Sequence, residues 1–294
     1  MSAIRDNGLT ILVTGIVRNV ASTIERDVIS IENALVDFRS VMWFLVESDS
    51  EDTTLEKLKS LSSANDKFRF TTLGQIQNPS EPRTVGMARA RNRYLHELKE
   101  NTDYQTVDIL AISDFNGLNS KLAREGITSC FDVQDWDACF ANQSGRYYDI
   151  WALRHPIWSP NDCWQQLDFY RKYYKFPELA LAASVRSRMI RIPRRSEWIE
   201  VDSAFGGFAL YRPEAIGNAV YEGLTADGKA ICEHVLFHAD MRKNQKKLYI
   251  NPNLINTRST DHSDRMNLSR TIFRIGKYPL KLIKAWKAKS RSRR

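Results

Sequence analysis

Three features of the sequence predict an α/β fold with a mostly parallel sheet flanked by helices. Short apolar runs recur through the first 120 residues. Segments with apolar residues at helical spacing lie between them. The two kinds of segment alternate, as in sheets covered on both faces.

Leu9-Thr10-Ile11-Leu12-Val13-Thr14, ending at Gly15, reads as the first buried strand. Ser22-Thr23-Ile24-Glu25 has capping-box spacing, and Ile24, Val28, Ile31 and Leu35 continue it as a helix. Val41 to Val46 is a second strand, closing in the acidic, hydroxyl-rich turn Glu47-Ser48-Asp49-Ser50-Glu51-Asp52-Thr53. Leu55, Leu58 and Leu61 mark a second helix, and Phe68 to Thr72 a third strand. Met87 to Lys99 is helical by propensity, and Val107 to Ile112 is a fourth strand that ends at Ser113-Asp114.

The second half is less regular and rich in aromatic residues. Helices are expected over Trp164 to Tyr174, Glu178 to Arg186 and Glu233 to Met241. A strand is expected over Ser203 to Tyr211, with close backbone approach at Gly206-Gly207, and another over Lys247 to Ile250. The four cysteines show no C-x-x-C pair, so free thiols are expected rather than a zinc site or disulfide framework.

The formal charge of +8 is unevenly placed. Residues 265–294 carry eleven Lys and Arg and no acid, which leaves 32 cations and 35 acids in residues 1–264. A nucleic-acid-binding body is therefore not expected. The C-terminal stretch interleaves its cations with Leu268, Ile272, Phe273, Leu280, Ile283 and Trp286, a basic amphipathic composition suited to an anionic membrane surface. No apolar run approaches a bilayer span, and Met1 to Asp6 lack the apolar core of a secretory signal. A cytoplasmic location is expected, peripheral on the cytoplasmic membrane face through this tail.

In open α/β sheets ligands bind beyond the carboxyl ends of strands, which singles out Gly15 to Asn19, Glu47 to Asp52 and Asp114 to Asn116. These stretches resemble the nucleotide-binding edge of GT-A glycosyltransferases. Gly86-Met87-Ala88-Arg89-Ala90-Arg91-Asn92 is similar to the helix start before the metal motif of that family, and Asp114-Phe115-Asn116 stands where its D-x-D motif falls. Tyr147-Tyr148-Asp149-Ile150-Trp151-Ala152-Leu153-Arg154 resembles the Y-D-x-W-A-x-R stretch of fungal capsule-associated (Cap59-like) mannosyltransferases. Phe205-Gly206-Gly207-Phe208 and Cys232-Glu233-His234 follow in the order that group uses. The resemblance covers residues 9 to 262. It implies one GT-A-like domain over 1–264, with a nucleotide-sugar half over 9–120 and an acceptor half over 121–264, followed by the tail 265–294.

The resemblance implies transfer of a sugar from a nucleotide-sugar donor, GDP-mannose or a UDP-sugar, to a saccharide or lipid-linked saccharide. Departure of the nucleotide needs its diphosphate neutralised, which Mn2+ or Mg2+ on oxygen ligands does. Asp114 and Asn116 are the candidate ligands, with His262 a third; Asn116 departs from the second Asp of the family motif. A plain turn at Asp114-Phe115-Asn116-Gly117 is the alternative. Arg18, Glu47, Asp49, Arg83, Arg91, Asp114 and Gly207 are candidates for donor contact, through hydroxyls, phosphates or close backbone approach. Glu233 is the first candidate for general base on the acceptor hydroxyl and Asp149 the second. A sugar-phosphate nucleotidyltransferase and a catalytically inactive saccharide-binding protein are the rival readings. Gly15-Ile16-Val17-Arg18-Asn19 is poor in glycine for the first, while Asn116 keeps the second open.

Overall fold

A computed structural model describes residues 8–258. His262 and the tail 265–294 lie outside the described residues. An eight-stranded sheet runs in the order β3-β2-β1-β4-β7-β5-β8-β6. The strands are β1 (Thr10–Val17), β2 (Ser40–Glu47), β3 (Phe68–Thr72), β4 (Ile109–Ser113), β5 (Ala138–Gln143), β6 (Ile199–Glu200), β7 (Phe208–Tyr211) and β8 (Leu248–Thr257). Pairings β3-β2, β2-β1, β1-β4 and β5-β8 are parallel, whereas β7 runs antiparallel to both β4 and β5.

Period-two alternation splits the strands between two cores. Ile11, Val13, Trp43 and Leu45 face one layer, with Ile24, Val28 and Ile31 of α1 (Ile24–Ala34) and Leu58 of α2 (Thr54–Ala64). Leu12, Phe44, Val46 and Ile112 face the other, with Tyr94, Leu95 and Leu98 of α3 (Arg83–Glu100). Five further helices complete the chain: α4 (Arg124–Thr128), α5 (Cys163–Arg171), α6 (Pro177–Ser184), α7 (Pro213–Ile216) and α8 (Glu233–Lys243). Phe237 and Met241 of α8 join the α3 layer. No helix among the described residues is long and apolar enough to cross a membrane. All four cysteines are free and buried.

Several elements differ from the sequence expectation. The capping box at Ser22 does not form, since the Thr23 hydroxyl is spent on the Phe115 carbonyl (2.7 Å). β5 went unread because Ala-Cys-Phe-Ala-Asn-Gln contains no β-branched residue and is a strand by burial alone. β7 starts only at Phe208, because Gly206 (φ +74°) and Gly207 (φ +86°) leave extended geometry. β8 runs past Ile250 to Thr257, with register shifts against β5 near Asn142.

Candidate active site

The antiparallel insertion of β7 builds the site. Ser113, at the end of β4, pairs with Phe208, at the start of β7. The residue after one strand and the residue before the other are thereby brought together, and the Asp114 N–H donates to the Gly207 carbonyl (2.9 Å). Gly206-Gly207 is tightly enclosed. A Cβ on Gly206 would lie 2.6 Å from the Ala141 carbonyl oxygen, and one on Gly207 would lie 2.8 Å from the Tyr148 hydroxyl. The Gly206 N–H donates to Asp149 Oδ2 (3.0 Å), and the Gly206 carbonyl accepts from Gln143 (3.1 Å) and Asn256 (2.8 Å). Asp114, Asp149 and the glycine pair are therefore one hydrogen-bonded unit, though they come from three separate parts of the chain.

α3 and α8 close this unit from one side. Arg91 is 2% exposed, and its Nε donates to Glu233 Oε1 at 2.9 Å. Its Nη2 lies 3.8 Å from Asp114 Oδ1, and its guanidinium sits over the rings of Phe205 (5.3 Å) and Tyr221 (5.6 Å). Glu233 opens α8 and is as buried as Arg91. One buried cation thus serves a neighbourhood of three carboxylates: Glu233, Asp114 and Asp149. Arg83, exposed at the start of α3, adds a further positive charge within reach of Asp114.

The electrostatic consequence falls on Asp114. Burial pushes its carboxyl up to about 6; Arg91 and, more weakly, Arg83 oppose the rise, while Asp149 and Glu233 add to it. Its side chain is nevertheless 31% exposed, so it meets solvent at the mouth of the cluster. Asp149 is also raised, by burial first, against the backbone N–H groups of Gly206 and Ala152. His234 stacks on Phe205 (4.1 Å), and neither ring nitrogen has a hydrogen-bond partner. Burial, then Arg91 and His238, hold it well below the usual imidazole range, so it is neutral at pH 7. His238, one helical turn on, spends both nitrogens on Ser203 Oγ and the Tyr211 hydroxyl (2.9 Å each) and is not available to a metal.

The metal candidates are placed unequally. Asp114 faces the carboxylate cluster, Phe115 is buried against Trp43, and Asn116 is exposed. His262 lies outside the described residues. No group of three or more His, Cys, Asp or Glu side chains is arranged to hold a metal among the described residues. The chemistry of the cluster still suits a hard divalent cation. Its carboxylates offer oxygen donors, and Asp149 and Glu233 add to the rise that burial imposes on Asp114.

The β1–β2 edge is arranged differently. Glu47 accepts from Ser50 N–H (3.0 Å) and the Thr72 hydroxyl (2.5 Å), tying β2 to the end of β3. Asp49 (φ +57°) accepts at Oδ1 from the N–H groups of Ile76 and Gln77 (2.9 Å each). Arg18 Nε donates to the Asp49 carbonyl (3.1 Å), and Asn19 Oδ1 accepts from Glu51 N–H (2.8 Å). These side chains stitch the loops after β1, β2 and β3 into one rim. Arg89 pairs with Glu81 (3.0 Å), whereas Arg83 makes no ion pair among the described residues, so it is the freer cation on this side.

Trp151 and Arg154 meet at Asp162. Both donate to Asp162 Oδ2 (3.0 and 2.9 Å), while Asp162 Oδ1 caps α5 through the N–H groups of Trp164 and Gln165. The clamp fixes α5 beside the Asp149 turn. Gln143, Tyr221 and Asn256 border the site without having been singled out in the sequence. Gln143 ends β5, Tyr221 lies in the loop after α7 and Asn256 lies in β8, and no local pattern marks them.

No protein-family model matches this chain, and no curated protein matches it by sequence. Solved structures do. Residues 1–349 of TarS from S. aureus align over 85% of this chain and 60% of theirs, at 12% identity and a TM-score of 0.50. A mannosyltransferase from Pyrobaculum calidifontis, in complex with GDP-Man and Mn2+, aligns over 84% of this chain and 56% of its own, at 14% identity and a TM-score of 0.47. Glucosyl-3-phosphoglycerate synthase from Mycobacterium tuberculosis, with Mn2+, UDP and phosphoglyceric acid, aligns over 86% and 69%, at 15% identity and a TM-score of 0.40. The chain spans less than two thirds of the length of the first two. At such identities the likeness is one of fold: the chain has the mixed, mostly parallel sheet flanked by helices of the GT-A type.

Proposed function

We propose that this protein is a glycosyltransferase that moves a sugar from a nucleotide-sugar donor to a saccharide or lipid-linked saccharide. The observation that carries the reading is Asp114. It follows β4 where the sheet turns antiparallel, is tied to Gly207, and is held near pKa 6 among Asp149, Glu233 and Arg91. A partly exposed acid after a strand end, with its pKa raised among other carboxylates, marks a functional site better than a turn.

Asp114, with Asn116 and His262, would hold a divalent metal, which supplies Lewis-acid stabilisation of the departing diphosphate. Arg83 approaches the phosphates from the α3 side. The backbone at Gly206-Gly207, kept free of side chains, lets the donor sugar lie close. Arg18, Glu47 and Asp49 form the rim that receives the base and ribose, mainly through backbone groups, since Glu47 is occupied by the fold. Arg91 pairs with Glu233 and fixes the distance between α8 and Asp114. Asp149 and Glu233 are the two carboxylates able to take the proton from the acceptor hydroxyl. Asp149 is the more accessible of the two, and burial raises its carboxyl above the ordinary carboxylate value, which makes it a stronger base. GDP-mannose and UDP-sugars are the donor candidates, and the basic tail 265–294 would hold the enzyme at an anionic membrane surface.

A thermal-shift panel of GDP- and UDP-sugars, with and without Mn2+, tests the reading. Donor binding raises the melting temperature by mass action. One nucleotide class stabilising the protein only with Mn2+ supports the transferase and names the base. No shift with any nucleotide removes it.

A further inference from the structure

Among the described residues ten large apolar side chains are exposed, and six of them fall between Ile157 and Ile190. Ile157 is 89% exposed and Tyr173 is 72% exposed. Phe169, Tyr170, Tyr173 and Tyr174 form a ladder at the end of α5, with centroids 5.0 Å (Phe169–Tyr173) and 5.2 Å (Tyr170–Tyr174) apart. Charge is segregated to the same stretch. Residues 171–195 carry eight cations and one acid, while the rest of residues 1–264 carries 24 cations and 34 acids.

The stretch is pinned as a surface. Buried Arg188 donates to Ser159 Oγ (2.8 Å), to Asn161 and to Gln166, and the Trp158 indole donates to the Arg188 carbonyl (2.6 Å). These contacts hold the Ile157 turn, α5 and the arginine-rich segment 186–195 together. The chain also leaves the described structure beside this face. The Arg258 carbonyl accepts from Gly145 N–H (2.9 Å), Arg146 donates to the Met189 carbonyl (3.0 Å), and Tyr147 N–H donates to the Ile190 carbonyl (2.8 Å). The described residues thus end at Arg258, beside the backbone that pairs with Met189 and Ile190.

We propose that this α5–Arg195 face is a lipid-contact surface of the folded domain, which rests on an anionic bilayer. Exposed aromatic rings settle at the headgroup level, and each cation near an anionic surface adds about 1 kcal/mol. A saccharide-binding surface would set its rings among carboxylates and amides. Here exposed aliphatic Ile157 and Ile190 stand with cations, which favours lipid. The surface extends the membrane role given to the tail and does not depend on the transfer reaction.

The test uses the full chain. All four native cysteines are buried, so Tyr173→Cys introduces one accessible thiol for an environment-sensitive fluorophore; Ile29→Cys, on exposed α1, is the control. With vesicles of phosphatidylcholine and phosphatidylglycerol the label at 173 shifts to the blue and the label at 29 does not. Pure phosphatidylcholine shifts neither. Replacing Lys172, Lys175 and Arg194 by Gln lowers partition onto the anionic vesicles by about 100-fold, the effect of three surface cations. The proposal is overturned if the chain sediments with anionic vesicles while the label at 173 stays unchanged, since the tail alone then makes the contact. It is also overturned if the chain binds no anionic vesicle, or if the label responds to dextran sulfate or an oligonucleotide but not to lipid. Nucleotide-sugar stabilisation reads the donor site separately, so either reading can fail without the other.

Discussion

The β1–β2 rim and the β4–β7 junction both carry acidic residues at the carboxyl ends of strands, yet they handle charge in opposite ways. On the rim, Glu47 and Asp49 accept hydrogen bonds from their own loops and finish the fold. At the junction, Asp114, Asp149 and Glu233 share one buried arginine, and Asp114 is left near pKa 6. A satisfied carboxylate stabilises the protein by itself. A frustrated one costs stability until something positive arrives, and that cost makes the junction the place to test for binding.

The comparison breaks most sharply at Asp114. Asp114→Ala is expected to lower kcat by about 1,000-fold or more, if the residue holds the ion that neutralises the leaving diphosphate. Steady-state transfer, with circular dichroism to confirm folding, checks it. Asp149→Asn should lower kcat by about 100-fold with KM for the donor nearly unchanged. The same loss in Glu233→Gln, with Asp149→Asn active, would move the base to α8. Glu233→Ala has a second consequence, because it leaves Arg91 buried without its partner. About 3–5 kcal/mol of stability should go, measured by urea denaturation.

The rim should respond in stability alone. Glu47→Ala leaves Ser50 N–H and the Thr72 hydroxyl without their acceptor and should cost about 2 kcal/mol, with kcat on the folded enzyme little changed. Asp49→Asn gives the smallest effect, since Asn tolerates the left-handed backbone there. Although burial opposes it, the Asp49 carboxyl is held below its ordinary value by Gln77, Ser48 and Ile76. Its contribution is therefore present above the unfolded pKa of 3.8 and lost as pH falls through the lower folded value. The difference between wild type and Asp49→Asn should vanish in acid.

The two regions were also unequally legible in the sequence. β1 to β4 were readable because each is a short apolar run between helical repeats, and their ends pointed to Glu47, Asp49 and Asp114. What those ends do was not readable. Glu47 and Asp114 look alike as acids after a strand, and only the neighbours brought by β3 and β7 separate them. Arg91 and Glu233 pair across 142 residues, and no local pattern announces that. Gly206-Gly207 could be read as a close approach, but not as the contact that ties Asp114 to Asp149. Trp151 and Arg154 stand in a recognisable motif, but their shared bond to Asp162, which caps α5, is not announced by it.

The account rests on Asp114 being kept at a cost. Because its folded pKa lies above the unfolded 3.8, apo stability from this group is greatest at low pH and declines as pH rises towards about 6. Metal-dependent donor binding should run the other way and weaken as pH drops below about 6. The direct measurement is a melting-temperature comparison of wild type and Asp114→Asn at pH 7.5, each alone and with Mn2+ and the stabilising nucleotide. The expected result is that the apo variant melts a few degrees higher, on the order of 1 kcal/mol after allowing for solvent at the partly open side chain, and that its Mn2+-dependent shift disappears. An apo variant that melts lower, with the Mn2+-dependent shift intact, would make Asp114 an ordinary structural acid and contradict the account.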